Sequence, residues 1–520
     1  MRRTSKFSIV MMCLLLVFTL GACSSQSSSE DHSSSTDSKG NFSFSYMMAG
    51  KYINWLKDLN WYPELQKQTH TTVKLVEGGK DDDDYYKNID LKIGSGDFAD
   101  AGIVKLSQAE VYGKQGAFLD LKPLIDKYAP NIKAYIKQNP DYAKLITTED
   151  GKIFGLMQEY TKISNVTFYR ADMFEKAGIT QAPRTIQEFT ADLQKLKDTY
   201  KNVENFYPFT GRDGFIKFTE AYDAMDKIDA NGKVHGIYNN GKGYDIKAPG
   251  FKSLIEQYIN WYNAGLIDPE WIAGVATEES WQTKMLNGKG AISNDFFTRP
   301  SWFMNNGGPT NDPKFSMKVM NPFLTMDGKQ SKVPTAEAQY RMDRAFVINA
   351  NAEDKAEGII KYMDYVFSEK GRNLMDYGVE GKSYKEVNNK KEFTVKFEEE
   401  GNKPIGTPVW NFLQDRLTFP APANNDAYYQ WMDDLTKSYA TTYFNQFAVS
   451  YPSIKYSTKQ LEERSTLQAR VEEELNANLV KFITGKRPMS EWDSFLKEMD
   501  NIGYSKIIKI DQAAYNAMKK

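Results

Sequence analysis

NVTFYRADMFEKAGITQAPRTIQEFTADLQKLKDTY, residues 165–200, reads as one strand followed by two helices. Asn165–Tyr169 is a short run rich in β-branched and aromatic side chains, as a strand requires. The helix predicted at Asp172–Ala177 is stopped by Gly178. The next, about Thr185–Tyr200, opens on Thr185 with Glu188 three residues later, a capping box. The same alternation precedes this stretch. Phe42–Met48 alternates apolar and small residues and meets Ala49-Gly50, a strand and then a loop. Trp61–Gln68 reads as a helix, Thr71–Val76 as a strand, Asn88–Ile93 as a helix and Ala101–Val104 as a strand. Strands and helices alternating at such short intervals predict an α/β fold with mostly parallel sheets. Two such runs predict two lobes with a cleft between them, at the carboxyl ends of the strands.

The second half is predicted to be more helical, over Phe251–Ala264, Asp354–Phe367, Ala427–Tyr443, Thr458–Ile483 and Glu491–Gly503. Turns of one form, Asp/Asn-Gly-Lys, fall at 150–152, 231–233, 287–289 and 327–329, where glycine supplies the positive φ of a tight turn. Asp81–Asp84 reads as a solvated turn, because four consecutive acids cannot all aim at one cation.

Composition excludes several classes. The 520 residues are 41% hydrophobic and 26% charged with a net charge of −2, a globular chain without the basic face of a nucleic-acid binder. The three histidines, His32, His70 and His235, are too scattered to support multi-histidine metal sites or most histidine triads. No G-x-S-x-G, H-E-x-x-H or P-loop motif occurs. Aromatic residues, at 13%, are in excess.

The first 23 residues carry an address. Arg2, Arg3 and Lys6 precede an apolar run, Ile9–Phe18, too short to span a bilayer, and then Leu20-Gly21-Ala22-Cys23. This reads as a lipobox: residues 1–22 are a signal peptide, and Cys23 becomes the lipidated first residue of the mature chain. Ser24–Gly40 is a serine-rich tether. The other cysteine, Cys13, lies in the removed segment, so no disulfide is expected. Cleavage also removes three positive charges and moves the net charge from −2 to −5. The expected location is the outer face of a Gram-positive cell membrane, anchored by lipid alone.

Residues 169–179, YRADMFEKAGI, with Pro183 and Thr185–Phe189, resemble a signature of family 1 extracellular solute-binding proteins, the carbohydrate-binding lipoproteins of ABC importers. Trp261–Glu270, ending Gly265-Leu266-Ile267-Asp268-Pro269-Glu270, is similar to the same family. Asp364–Gly371, Tyr377–Gly381 and the tail from Gly485 to Gln512 resemble its long Gram-positive, LipO-like branch. Ile186 departs from the family, which often has Trp there in a Thr-Trp pair.

The resemblance implies a two-lobe, type II periplasmic-binding-protein-like fold, each lobe a mostly parallel sheet flanked by helices, with a helical C-terminal part. Lobe 1 is expected from 42–160 plus 330–390, and lobe 2 from 161–329 plus 391–520. It further implies a monomer that binds a carbohydrate, serves ABC permease subunits, catalyses nothing and needs no cofactor. Some relatives carry an EF-hand-like calcium loop. The nearest match here, Asp229-Ala230-Asn231-Gly232, would put Lys227 and Tyr238 where carboxylates belong, so no calcium is expected.

A sugar ring presents an apolar face and a hydroxyl edge, and its site wants flat aromatics and planar polar groups. The candidates are Trp55 in the loop after the first strand, Trp302 and Trp410 in loop contexts, and Asn294, Asp295 and Phe296 after a strand. Gln158, Glu159, Tyr160, Arg212, Asp213, Glu337 and Tyr340 are expected near the crossing between lobes. Trp261 and Trp492 fall in helical patterns and are expected in the core. A binding protein for a peptide or other solute, a lipid-anchored glycoside hydrolase, and an adhesin or sensor sharing the fold remain as alternatives.

Overall fold

The computed structural model describes residues 40–59, 61–159, 165–334, 340–394, 419–430 and 434–519, with Ser35. Its strands in chain order begin with β1 (Phe42–Ala49), β2 (Thr71–Gly79), β3 (Ala101–Val104), β4 (Leu156–Glu159) and β5 (Asn165–Arg170). A small hairpin, β6 (Lys227–Ile228) and β7 (Val234–His235), is followed by β8 (Ile292–Phe296), β9 (Met317–Val319), β10 (Val333–Pro334) and β11 (Tyr340–Ile348). A second hairpin, β12 (Tyr384–Val387) and β13 (Lys390–Phe393), and the short β14 (Ala448–Val449) complete them.

The first sheet has the order β2-β1-β3-β11-β4. β1 runs parallel to β2 and β3, whereas β11 is antiparallel to β3 and to β4. All four residues of β3 and the end of β11 are buried, so the sheet's centre is apolar on both faces. The helices Gly50–Asp58 and Asp82–Ser95 pack on β2, and Leu106–Lys114 packs on β11. The core around this sheet draws on residues 44–157, then 340–375, then Phe419 and Ala421. Hairpin β12–β13 and the helix Asn425–Gln430 join through Tyr377, Tyr384 and Ala427, next to the helix Glu369–Tyr377 that supplies Leu374 and Met375 to that core.

The second sheet, β8-β5-β9, is antiparallel throughout. The expected mostly parallel arrangement holds for β1, β2 and β3 and fails here. β8 returns beside β5 toward the point where the chain entered this lobe, and such a pair needs no parallel crossover. Parallel contact among the described residues of this lobe is confined to the short pair β10–β14 and to Phe209, which bridges Ile292 on one side and Ile267 on the other. Its core collects residues 169–323 with the three C-terminal helices, Thr458–Ile483, Trp492–Ile502 and Tyr504–Met518. Both Trp261 and Trp492 lie in it, as expected. The molecule is therefore a two-lobe α/β protein.

Local chemistry explains the boundaries. The Thr185 hydroxyl accepts from the Glu188 N–H at 3.1 Å, and the Glu188 carboxylate accepts from the Thr185 N–H at 3.2 Å, the predicted capping box. Asp81–Asp84 is a helix start, not a turn. Asp81 accepts from the Asp84 N–H, and the acids of the first turn suit the positive end of the helix. Trp55 belongs to the helix Gly50–Asp58 and not to a loop. That helix opens on Gly50, where a Cβ would sit 2.6 Å from the Glu77 carboxyl carbon. Trp302 also lies in a helix, Arg299–Asn305, because Pro300 at its first turn presets the helical φ.

One contact joins the lobes away from the sheets. Lys455 follows Ile454, which packs with Val234 and Tyr238 in the second lobe. Its ammonium meets Glu110 at 2.7 Å and donates to the Thr147 carbonyl at 2.6 Å, both in the first lobe. Among the described residues no helix is long and apolar enough to cross a membrane.

Candidate ligand cleft

One edge of each sheet is joined to the other through short links of the chain. In the first, β1, β3 and β4 end at Ala49, Val104 and Glu159, and β11, being antiparallel, begins there with Tyr340. In the second, β5 begins and β8 ends at the paired residues Asn165 and Phe296. Residues 160–164 join Glu159 to Asn165, and an extended link of that length reaches at most about 20 Å. The ends of β10 and β11 are tied in the same way by residues 335–339. Carboxyl-end edges held this close are where an α/β protein places a ligand.

The second-lobe wall is a guanidinium–carboxylate network. Arg212, on the loop after Phe209, donates to Asp295 through Nε at 2.6 Å and Nη2 at 3.2 Å, and to Glu278 through Nη1 at 2.6 Å. Arg299 donates to the other Glu278 oxygen at 2.6 Å. Both guanidinium groups lie over the buried ring of Trp281, at 5.5 and 5.7 Å from its centre. Burial works to lower the Arg212 pKa, but the Asp295 hydrogen bonds and the nearby acids more than offset it, and the group is held above its ordinary value. Trp302 is half-buried, edge-on to Phe303 and 5.8 Å beneath Arg299. Asn294 donates to the Thr167 hydroxyl at 3.0 Å, and Asp213 is exposed 3.5 Å from Arg212.

The first-lobe wall has a similar network. Arg344, in the bulge of β11 opposite β4, donates through Nη2 to the Tyr52 hydroxyl at 2.7 Å and to Asp82 at 2.9 Å. Lys51 reaches the same Asp82 oxygen at 2.6 Å. Arg341 holds Asp343 through two bonds, at 2.8 and 2.6 Å. Burial favours the neutral form of Asp82, yet Arg344 and the Lys51 and Tyr52 hydrogen bonds outweigh it and hold the carboxyl below its ordinary range. Gln158 is buried, and its Oε1 has no hydrogen-bond partner; the buried Arg344 Nε likewise has none. An unpaired buried donor or acceptor is costly until something binds it.

Thus Gln158, Arg212, Asp295, Phe296 and Trp302 lie at or beside these edges. Glu159 and Tyr340 are engaged otherwise. The Glu159 carboxylate accepts from the Tyr135 hydroxyl at 2.9 Å and the Ala423 N–H at 3.1 Å, which fastens segment 421–423 beside β4. Tyr340 is buried edge-on against Tyr142, and burial and the Glu159 charge push its hydroxyl up to about 12. Cys23, Tyr160, Glu337, Trp410 and the side chain of Trp55 fall outside the described residues. Tyr52, Asp82, Glu278, Arg299 and Arg344 were missed. No local pattern links them, since Arg344 and Asp82 meet across 262 positions.

A cavity of about 590 Å³ on the second lobe is lined by Glu220, Tyr222, Met225 and Tyr451 among others. Burial pushes the Glu220 carboxyl up to about 7, partly opposed by its own N–H and by Lys217. The folded state therefore keeps a proton that the unfolded chain releases near pH 4.5, and stability falls as pH rises from there through about 7. Glu220→Gln should remove this slope. In thermal melts the variant should match wild type near pH 4.5 and exceed it at pH 8 by about 1–3 kcal/mol. Parallel pH curves would refute the assignment.

Among the described residues no group of three or more His, Cys, Asp or Glu side chains is placed to hold a cation. At the tight turn after β6, the Asp229 carboxylate accepts from the Asn231 and Lys233 N–H groups and meets His235 Nε2 at 3.0 Å. That is a turn's chemistry and does not fit a calcium loop.

Residues 55–373 match the family model described as bacterial extracellular solute-binding protein. The chain belongs to this family. A curated relative of this solute-binding protein, the fructooligosaccharide ABC transporter substrate-binding protein FusA of Streptococcus pneumoniae serotype 4, is 22% identical over 502 residues, 88% of each chain. Among solved structures, the alginate-binding protein AlgQ2 without calcium ion superposes with a TM-score of 0.70 at 20% identity, covering 91% of this chain and 98% of AlgQ2. FusA of S. pneumoniae in complex with kestose gives 0.69 at 20% identity, covering 92% and 99%. These likenesses establish the shared fold of the solute-binding protein.

Proposed function

We propose that this solute-binding protein captures an oligosaccharide between its lobes and delivers it to the permease of an ABC importer, held to the outer membrane face by a lipid on Cys23. The observation that carries the reading is the pair of linked edges furnished with planar guanidinium and carboxylate groups beside aromatic rings. Such groups suit the hydroxyl edges and apolar faces of sugar rings. The relatives' names support the sugar class, FusA being named for fructooligosaccharide. The same networks favour binding over hydrolysis. A glycosidase needs one carboxyl group free to donate a proton, and on these walls Asp295, Glu278, Asp82 and Asp343 are committed to arginines.

Packing supports a first lobe of 42–159 with 340–394 and 419–427 and a second of 165–334 with 434–519, whereas the expected division put everything after 390 in the second. Phe419, Ala421 and Ala427 lie with the first lobe, and Ala440, Tyr443 and Phe447 with the second. The passages between lobes then fall at 160–164, 335–339 and 431–433.

Binding in such a cleft shifts an open–closed equilibrium toward the closed state. Titration of the purified protein with oligosaccharides should give saturable heat, a higher melting temperature and a smaller radius of gyration by X-ray scattering. Steady release of reducing sugar would instead reveal a hydrolase, and peptides binding in place of sugars would reveal the other alternative. In cells, Cys23→Ser should move the protein from the membrane fraction to the medium.

A further inference from the structure

The charge pattern of the two walls, taken with the sugar reading on which this rests, points to the kind of sugar. A uronate carboxylate is recognised best by a guanidinium fork free to make two parallel bonds. Among the described residues the walls carry four arginines, each bonded to at least one of the protein's own acids and two of them, Arg212 and Arg341, through both nitrogens of a fork. Nε and Nη2 of Arg212 lie on Asp295 and its Nη1 on Glu278, while Arg299 lies on Glu278. Nε and Nη2 of Arg341 lie on Asp343, and Nη2 of Arg344 on Asp82. Lys51 likewise lies on Asp82.

Exposure decides what an arriving ligand meets. The side chains of Arg212, Arg299, Arg341 and Arg344 are 13%, 15%, 15% and 7% exposed, whereas Glu278 and Asp343 are 48% and 47% exposed and Asp213 is 73% exposed. The guanidinium groups lie beneath with the buried Asp295, and Glu278, Asp343 and Asp213 face outward. A wall of this kind accepts hydrogen bonds. It suits a polyol, whose hydroxyls donate. An acidic sugar would bring a negative charge against Glu278, Asp343 and Asp213 and meet guanidinium groups already bonded to the protein's own acids, and like charges juxtaposed in an interface are strongly unfavourable. We infer that the cleft selects uncharged oligosaccharides and rejects uronate-containing ones, and that Glu278 and Asp343 are residues that enforce the choice.

The test is isothermal titration calorimetry on the full chain purified in detergent, at low ionic strength. The probes are neutral fructo- and gluco-oligosaccharides and galacturonate and mannuronate oligomers of equal length. A neutral oligomer should bind, with the uronates weaker by about 100-fold or more. Glu278→Gln and Asp343→Asn, on different walls, each uncover guanidinium groups and should narrow that gap by about tenfold. Uronates binding as tightly as neutral sugars would overturn the inference alone, as would a gap unchanged in both variants. Binding of neither class would remove the sugar reading and this inference together.

Discussion

Asp295→Ala is expected to destabilise the protein by about 3–5 kcal/mol and to abolish ligand binding. Asp295 is 6% exposed at the end of β8, where it holds two nitrogens of Arg212 and accepts from the Phe296 N–H at 2.6 Å. Truncation leaves a guanidinium, itself only 13% exposed, without its buried counter-charge, held by the half-exposed Glu278 and pressed over the Trp281 ring. The cost comes mainly from that stranded charge, so the double variant Asp295→Ala/Arg212→Ala should be less destabilised than the two single losses added together. A double-mutant cycle in urea measures this coupling directly. Additive losses would mean that the pair does not act as a unit. Binding should fail in all three variants, because the network also sets the positions of Glu278 and Arg299.

Trp261→Ala is expected to cost about 3–5 kcal/mol of stability and to leave the ligand affinity of the surviving folded protein unchanged. Trp261 is fully buried in the second core, with ring contacts to Phe189, Phe209, Phe218 and Tyr258. Its indole N–H donates to the Thr190 hydroxyl at 2.9 Å, so truncation opens a cavity and removes one bond from a hydroxyl that still donates to the Ile186 carbonyl. Phe209 also bridges toward β8, and a loss of affinity comparable to the loss of stability would show that the cavity reaches the cleft wall. Urea melts and calorimetry on the same preparation separate the two outcomes.

Those two residues also show how far the sequence could be read. Trp261 was legible, because it falls on the periodic apolar face of a helix and helical periodicity announces burial. The strand Ala101–Val104 and the helix Thr458–Ile483 were likewise marked by local signals and occur at the predicted bounds. Asp295 was expected in the loop after a strand, whereas β8 runs through Ile292–Phe296 and carries Asn294, Asp295 and Phe296 itself, and nothing in the sequence paired Asp295 with Arg212. Their partners Glu278 and Arg299 come from separate helices, and Arg344 meets Tyr52 and Asp82 only because β11 returns to the first sheet. Trp55 and Trp302 were misplaced into loops because glycine and proline beside them punctuate chains in general, whereas here each stands at a helix start. Strand direction in the second sheet was out of reach for a related reason. Local pattern reports whether a segment is extended, and only the path of the whole chain decides which way it runs.

The Lys455 ammonium, shared between Glu110 and the Thr147 carbonyl, has a bearing on how the molecule comes apart. Two lobes with separate cores would ordinarily melt as two calorimetric transitions. Here unfolding of either lobe strands a half-buried charge in the other, Lys455 on one side or Glu110 on the other, whose side chains are 19% and 11% exposed. Each core is thereby penalised for outliving its neighbour, and heat absorption merges toward a single cooperative peak. For a member of an extracellular protein family, working where no chaperone driven by ATP is at hand, that cooperativity shortens the life of half-unfolded chains and the time for which their apolar interiors lie open to proteases.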